Sequence, residues 1–362
     1  MAPRPSLKSI LTQAFPPKPK FVGENLPDLK DKVYIVTGAN TGTGKELTRL
    51  LYTKNAKIYM LARSEEKTKA AIADIQKGAP KSAGSLNYIK LDLADLSTIK
   101  QTVQRFLESE TKLHVLFNNA GVLSGAKEMA LTPQGHELHT GVNALGTFLL
   151  SRLLTPVLTA TARSEPASTV RVIWVSSSAA EMFAEEKVGI RPEALIPAAQ
   201  EARGALERYW SSKVANWAHA TEYARLHQAD GVVSVPLNPG NLQSDLYRDQ
   251  GFIFRIAERL FMYPPINGAC TELYAGLSSD VNISNTGCWM VCHLGELYTY
   301  EVEKYHLPLT SKIPNLPFPL LHYPRFFPSP AYRAPAAVHE AFAANNWQVQ
   351  WIFRYNPTQQ SQ

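Results

Sequence analysis

Cysteine is scarce in this 362-residue chain, with only Cys270, Cys288 and Cys292. Three thiols are too few for a disulfide framework and fit a reducing, cytoplasmic compartment. Long hydrophobic runs are also missing. No stretch approaches eighteen consecutive apolar residues, which argues against a membrane-spanning helix. The first twenty residues, MAPRPSLKSILTQAFPPKPK, lack the apolar centre of a secretory signal. They are basic, acid-free and contain serine, as transit peptides do, but their prolines oppose the helix such a peptide forms. Charge of one sign never accumulates. No block of five like charges sharpens the net charge of +6 and the pI near 9.0. Basic residues do not interleave with aromatics and no nucleic-acid motif is present, so no nucleic-acid partner is expected. The nine histidines show no pairing pattern. Cys288, Cys292 and His293 lie within six residues, but no second ligand pair accompanies them and no metal is expected. There is no internal repeat.

What is present is globular. Hydrophobic residues make up 45% and charged residues 19%, enough apolar mass for a large core. Short runs rich in β-formers recur at Val33–Val36, Lys57–Leu61, Asn87–Leu91, His114–Phe117, Arg171–Val175 and Val232–Leu237, with a seventh at Cys288–Cys292. Helical spacing fills the intervals: Lys45–Tyr52, Glu65–Gln76, Ser97–Leu107 with Ser97 as a possible cap, Glu137–Leu158, Glu207–Leu226 and Asn267–Leu277. Strands alternating with helices mean βαβ units. The predicted fold is one doubly wound parallel α/β sheet of about seven strands, covered on both faces. We divide the chain into a Pro-rich arm at 1–30, a catalytic domain at 31–295 and an extension at 296–362. Eight prolines between Pro308 and Pro335, interleaved with Phe, Leu and Tyr, forbid regular helix or central strand there. Residues 336–354 have room for one more helix.

Three motifs carry chemistry. Thr37-Gly38-Ala39-Asn40-Thr41-Gly42-Thr43-Gly44 lies between the first strand and its helix. Glycine lets the backbone turn tightly and approach a pyrophosphate, and the helix N-terminus offers free N–H groups and a positive dipole end. The second strand ends Leu61-Ala62-Arg63-Ser64. An acid that would bond a ribose 2′-hydroxyl is missing, and Arg63 would pair with a 2′-phosphate, which favours NADP(H) over NAD(H). Tyr209 and Lys213 stand four residues apart, on one helix face. An ammonium near a phenol favours the phenolate and lowers its pKa from about 10, making it usable as an acid or base near neutral pH. Ser176-Ser177-Ser178 closes the fifth strand, at the sheet edge where such folds place ligands.

Together with Asp92, Asn118-Asn119-Ala120-Gly121, Asn143 and Pro239-Gly240, this set resembles the short-chain dehydrogenase/reductase superfamily, in order and spacing, over roughly residues 30–295. Within it the sequence looks most like the retinol-dehydrogenase-like branch, and closer still to filamentous-fungal members that accompany natural-product pathways. FPPKPKFVGENLPDLKDKVYIVTGANTG and SSKVANWAHATEYARL carry that likeness. The resemblance implies NADP(H)-dependent interconversion of a ketone or aldehyde and an alcohol on a small hydrophobic molecule. Tyr209 would be the general acid or base, and Lys213 would hold the nicotinamide ribose and depress the Tyr209 pKa. Ser177, with Ser178 as the register alternative, would polarise the substrate oxygen, and Asn143 would hold a water relay to Lys213. Gly38, Gly42, Thr43 and Gly44 would wrap the diphosphate. Asp92 would bond the adenine and Asn119 would sit against the adenosine. Arg152 matches a basic position near the cofactor, and Ser244 falls where the family caps the nicotinamide amide. The Tyr209 helix builds a dimer face in many members, so the resemblance implies a homo-oligomer.

Three departures stand out. Thr43 replaces the usual Ile or Leu. Thirty-two residues separate Ser177 from Tyr209, and the added segment 179–206 is expected to border the substrate pocket. The tail after about 296 does not follow the family ending. It leaves open an alternative, a catalytically silent nucleotide-binding scaffold whose pocket the tail closes. The basic, aromatic-rich ends also suit contact with a membrane surface.

Overall fold

The computed structural model describes residue 13 and residues 15–126, 128–184, 189–244, 246, 262–290 and 297–298. Cys292, His293, the helix expected in 336–354 and nearly all of the extension lie outside the described residues.

The strands are β1 Val33–Thr37, β2 Lys57–Ala62, β3 Ser85–Lys90, β4 Val115–Asn118, β5 Arg171–Val175, β6 Val233–Leu237, β7 Trp289–Met290 and β8 Leu297–Tyr298. They form one sheet in the order β3-β2-β1-β4-β5-β6-β7-β8. All pairings from β3 through β7 are parallel. The expected seven parallel strands gain an eighth that runs antiparallel to β7 and lies at the start of the 296–362 stretch. The main helices are α1 Gly42–Tyr52, α2 Glu65–Gly78, α3 Leu96–Ser109, α4 Thr147–Ala162, α5 Ser178–Phe183, α6 Pro197–Glu201, α7 Ala205–His227 and α8 Pro265–Leu277.

Strand β1 shows why the sheet is two-sided. Side chains alternate along a strand. Tyr34 and Val36 join a core with Leu47, Leu51 and Leu273 on the α1 and α8 side. Val33 and Ile35 join a second core with Val103, Leu150 and Leu154 on the α3 and α4 side. A strand apolar on both faces must be covered on both, and the parallel crossovers supply the cover.

Four details differ from the sequence expectation. Asp95, not Ser97, caps α3: its carboxylate accepts from Ser97 N at 3.1 Å, because the helix begins one residue before Ser97. The long helix expected from Glu137 starts as a π-helical turn, Thr140–Gly146, before α4. The span Thr140–Ala162 is long and apolar enough to cross a membrane by composition. Here it is mostly buried, as a core helix is. Finally, the 1–30 arm is partly built into the body. Leu26 and Leu29 are buried, and Phe21 packs edge-on against Tyr274 with centroids 5.7 Å apart.

Candidate active site

In open α/β sheets the ligand crevice lies at the C-terminal strand ends, where the strand order reverses. Here that point falls between β1 and β4. The loops leaving these two strands are bonded to each other. Asn119 donates to the Thr37 carbonyl at 2.8 Å, and Ala120 N donates to Thr37 Oγ1 at 2.9 Å.

The glycines at this point do different work. Gly38 and Gly42 have φ of +67° and +53°, the left-handed region that glycine enters without strain. A Cβ on Gly44 would lie 2.5 Å from Asn119 Nδ2 and 2.7 Å from the Gly38 carbonyl oxygen. Gly44 is therefore demanded by protein packing. A Cβ on Gly42 would meet nothing within 4 Å. Gly42 thus faces open space at the start of α1, where N–H groups and the helix dipole converge, and the cradle fits a dinucleotide diphosphate. Thr43 sits in the same first turn, close to Gly268 of α8. Arg63 is exposed immediately after β2 and makes no ion pair with another described residue. Asp92 follows β3, and one carboxylate oxygen accepts from Ala94 N at 3.0 Å, leaving the other for a ligand.

Lys213 reaches from α7 to the end of β5. Its Nζ donates to the Val175 carbonyl at 2.8 Å and lies 5.8 Å from the centre of the Tyr209 ring. Burial pushes the ammonium down to about 8, and the carboxyl of Glu272 acts in the opposite direction. Ser176 is buried and donates to the Lys213 carbonyl at 2.7 Å, so it is spent on fixing α7. Ser177 caps α5 by accepting from Ala179 N, and it keeps partial exposure at the strand end. Asn143 lies in the π turn. Its amide donates to the Val122 carbonyl and to Ser212 Oγ, both at 3.0 Å, and its oxygen accepts from Val122 N at 2.8 Å. The Asn143 side chain thus clamps the β4 loop to α7. A Cβ on Gly121 would lie 3.3 Å from both Asn143 Oδ1 and Lys213 Nζ, which brings the three residues into one cluster. Ser244 Oγ accepts from Leu246 N at 2.9 Å in the loop after β6.

Arg152 does not join them. It lies near His227, whose pKa is lowered first by burial and also by the Arg152 charge, against the Asp230 carboxylate. His227 is fourteen residues beyond Lys213 on α7. At 1.5 Å per residue that is about 21 Å toward the opposite sheet edge. Nine residues of mostly helical rise separate Arg152 from Asn143, and its charge is felt at His227 rather than at the Gly121, Asn143 and Lys213 cluster.

A network with no signature in the sequence stands behind Tyr209. His139 packs edge-on to the Tyr209 ring with centroids 6.1 Å apart. Its Nε2 accepts from Ser124 N at 2.9 Å, so Nδ1 carries the proton and donates to Glu137 Oε1 at 2.6 Å. Burial alone would raise the Glu137 pKa, but His139 and Thr140 N, which donates at 2.9 Å, hold the carboxyl below its ordinary range. Arg208 Nε lies 3.6 Å from the same carboxylate, one residue before Tyr209. Substituting His139 by Ala leaves the half-buried Ser124 N without its acceptor and the buried Glu137 carboxylate without its shortest donor. We expect a stability loss of about 3 kcal/mol, read by denaturant unfolding.

The segment between β5 and α7 carries exposed apolar side chains. Phe183 stacks on Trp210 at 3.6 Å with planes 1° apart. Met182, Phe183 and Ile196 are exposed on the segment between β5 and α7, and Leu206 is exposed in the first turn of α7. From the arm, buried Gln13 bridges Asn238, which donates to it at 2.8 Å, and Glu181, to which it donates at 2.5 Å. Cys288 is buried, with its thiol pKa raised by that burial. Among the described residues no three His, Cys, Asp or Glu side chains gather as metal ligands.

A family model described as short chain dehydrogenase matches residues 32–188. A short-chain dehydrogenase/reductase of Phaeosphaeria nodorum, sthC, is 49% identical over 290 residues, covering 80% of this chain and 92% of its own. One from Phomopsis amygdali is 51% identical, covering 76% and 82%. A crystal structure from Mycobacterium paratuberculosis is 26% identical with a TM-score of 0.56, covering 80% of this chain and 92% of that one. A short-chain dehydrogenase structure from Shigella flexneri, complexed with NADP, shares the fold at 21% identity and a TM-score of 0.56, covering 74% and 99%. The fungal likeness stands, while these relatives do not carry the retinol-dehydrogenase designation. The doubly wound sheet, the glycine cradle at its switch point and these relatives make the chain a member of the short-chain dehydrogenase/reductase family of oxidoreductases.

Proposed function

We propose that the protein is an NADP(H)-dependent oxidoreductase that interconverts a carbonyl and an alcohol on a small hydrophobic molecule, in natural-product biosynthesis. The observation that carries this reading is the cluster of Lys213, Asn143 and Gly121, with the Tyr209 ring 5.8 Å from Lys213 Nζ, at the C-terminal ends of β4 and β5. In this reading Gly38, Gly42, Thr43 and Gly44 hold the diphosphate, Asp92 and Asn119 hold the adenosine end, and Ser244 faces the nicotinamide amide. Bound NADPH would supply hydride to the carbonyl carbon. Ser177 polarises the substrate oxygen, and the Tyr209 hydroxyl delivers a proton to it in reduction and removes one in oxidation. Lys213 positions the cofactor ribose, and its ammonium favours the Tyr209 phenolate. The relatives' names support the reaction class, and the exposed Met182, Phe183, Ile196 and Leu206 support a hydrophobic substrate.

The NADP(H) preference rests on Arg63. A fluorescence titration of the purified protein with NADPH and, separately, NADH tests it. NADPH is expected to bind more tightly, and binding of neither would overturn the cofactor assignment. Arg63→Ala is expected to weaken NADPH about 10- to 100-fold, the equivalent of losing one or two charge-assisted hydrogen bonds, with NADH little changed. Loss of affinity for both cofactors alike would remove Arg63 from the 2′-phosphate site.

A further inference from the structure

The 1–30 arm touches the body at two separate places. Phe21, Leu26 and Leu29 pack as apolar residues, with Phe21 against Tyr274 near the end of α8. Gln13 lies instead between α5 and the chain leaving β6, and it is only 5% exposed. Both ends of its amide are used. Nε2 donates to Glu181 Oε2 at 2.5 Å, and Oε1 accepts from Asn238 Nδ2 at 2.8 Å. These partners stand 168 and 225 residues away along the chain, and both are buried. Apolar residues would cover the same strand ends at lower cost, because a polar group loses its water on burial. A satisfied polar bridge holds its members in one arrangement, which apolar cover does not.

Each partner belongs to a piece of the proposed site. Glu181 stands four residues after Ser177, one helical turn along α5 from the residue that caps it. Holding Glu181 therefore holds the short helix that starts at the Ser177 hydroxyl. Asn238 follows β6 directly. Its N–H donates to the Met290 carbonyl at 3.0 Å, and its Oδ1 accepts from Gly240 N at 3.1 Å. An amide side chain has one donor end and one acceptor end. Gln13 takes the donor end of Asn238, which leaves the oxygen directed at Gly240 N and braces the Pro239-Gly240 turn.

The two pieces are adjacent. Ser176 N donates to the Leu237 carbonyl at 2.8 Å, so the chain enters Ser177 beside the chain that enters Asn238. Ser244 lies six residues further along the loop that Asn238 opens.

We propose that Gln13 is a positioning residue of the active site: through Glu181 and Asn238 it fastens the Ser177 helix to the Pro239-Gly240 turn. It thereby sets the substrate-polarising hydroxyl against the loop that faces the nicotinamide end of the cofactor. The inference rests on the roles read above for Ser177 and Ser244. It makes the arm a working part of the site.

The direction of the two hydrogen bonds supplies the test. Gln13→Glu sets one carboxylate against another at hydrogen-bond distance, and buried like charges repel. Glu181→Gln keeps an acceptor for Gln13 Nε2. The two substitutions together rebuild the bridge in the opposite sense, with the carboxylate at 13 accepting from the amide at 181 and from Asn238.

Wild type, both single variants and the double variant are compared by amide hydrogen exchange without cofactor and by NADPH fluorescence titration. Gln13→Glu is expected to speed exchange about tenfold in 178–183 and 238–244, while β1, β2 and α1 keep wild-type protection. It is also expected to bind NADPH about tenfold more weakly. Glu181→Gln is expected to stay within about threefold of wild type, and the double variant to return to that range in both measurements. Should Gln13→Glu alone fail to fold, a folded double variant that binds NADPH supports the same bridge. No recovery in the double variant overturns the inference. So does faster exchange throughout the fold, which marks a structural role, and so does local loosening with unchanged NADPH affinity. Exchange is read without cofactor, so failure of the wild type to bind NADPH overturns the functional reading, while the exchange pattern still decides whether Gln13 holds the two segments.

Discussion

Tyr209→Phe is expected to lower turnover of a probe ketone by about three orders of magnitude while NADPH binding stays within about twofold. A positioned acid contributes about 10²- to 10⁴-fold, and here the phenol ring lies 5.8 Å from the Lys213 ammonium. The substitution removes a single oxygen. The ring keeps its edge contact with His139 and its place on α7, so folding is preserved. Turnover measured with NADPH and an aromatic ketone, alongside cofactor titration, separates the two effects. Retained turnover would move the proton-transfer role elsewhere and with it the reading of Lys213 as its modulator.

The second large effect falls on the glycine cradle, where two neighbouring positions are expected to fail differently. Gly44→Ala drives a methyl into Asn119 Nδ2 and the Gly38 carbonyl. The clash is with backbone on one side and with the amide that ties β4 to β1 on the other, so neither neighbour yields freely. Overpacking of this kind typically costs 1–3 kcal/mol or more, and we expect about 3 kcal/mol together with loss of NADPH binding. Gly42→Ala meets open space but must hold φ near +53°. That strain is worth about 1–2 kcal/mol, and the new methyl projects into the space where a diphosphate would lie. Gly42→Ala is therefore expected to fold with a small loss of stability and to bind NADPH at least tenfold more weakly. Chemical denaturation and cofactor titration on the pair check the contrast. Equal stability losses would mean that the two glycines serve the same purpose.

Much of the scaffold was legible because its causes are local. The run Val33–Thr37 is apolar on both faces and too short for a helix, so it reads as a central parallel strand, and it is one. Gly38, Gly42 and Gly44 announce a tight strand-to-helix turn, and four-residue spacing announces that Tyr209 and Lys213 share a helix face. Boundaries were less legible. Asp95 and Ser97 are both good caps by type, and the chain chose the one that let α3 start at Leu96. The π turn around Asn143 left no periodic signature, since one extra residue in a turn shifts the pattern no more than ordinary noise does.

The sequence by itself determined the alternation of strands and helices, the placement of the glycine cradle after β1, the absence of an acid after β2 and the pairing of Tyr209 with Lys213. Each depends on residues a few positions apart, where backbone preference and side-chain periodicity act directly. Only the tertiary structure decided what those elements meet. It carried Arg152 toward His227, set Glu137, His139 and Arg208 behind Tyr209, and brought Gln13 from the arm to Asn238 and Glu181. It also buried the Glu272 carboxyl on α8 with neither oxygen hydrogen-bonded to another side chain or backbone group among the described residues. The physical reason is range. Hydrogen-bond and packing rules reach one turn of a helix, whereas burial and unscreened charge act between groups that only the folded sheet makes neighbours.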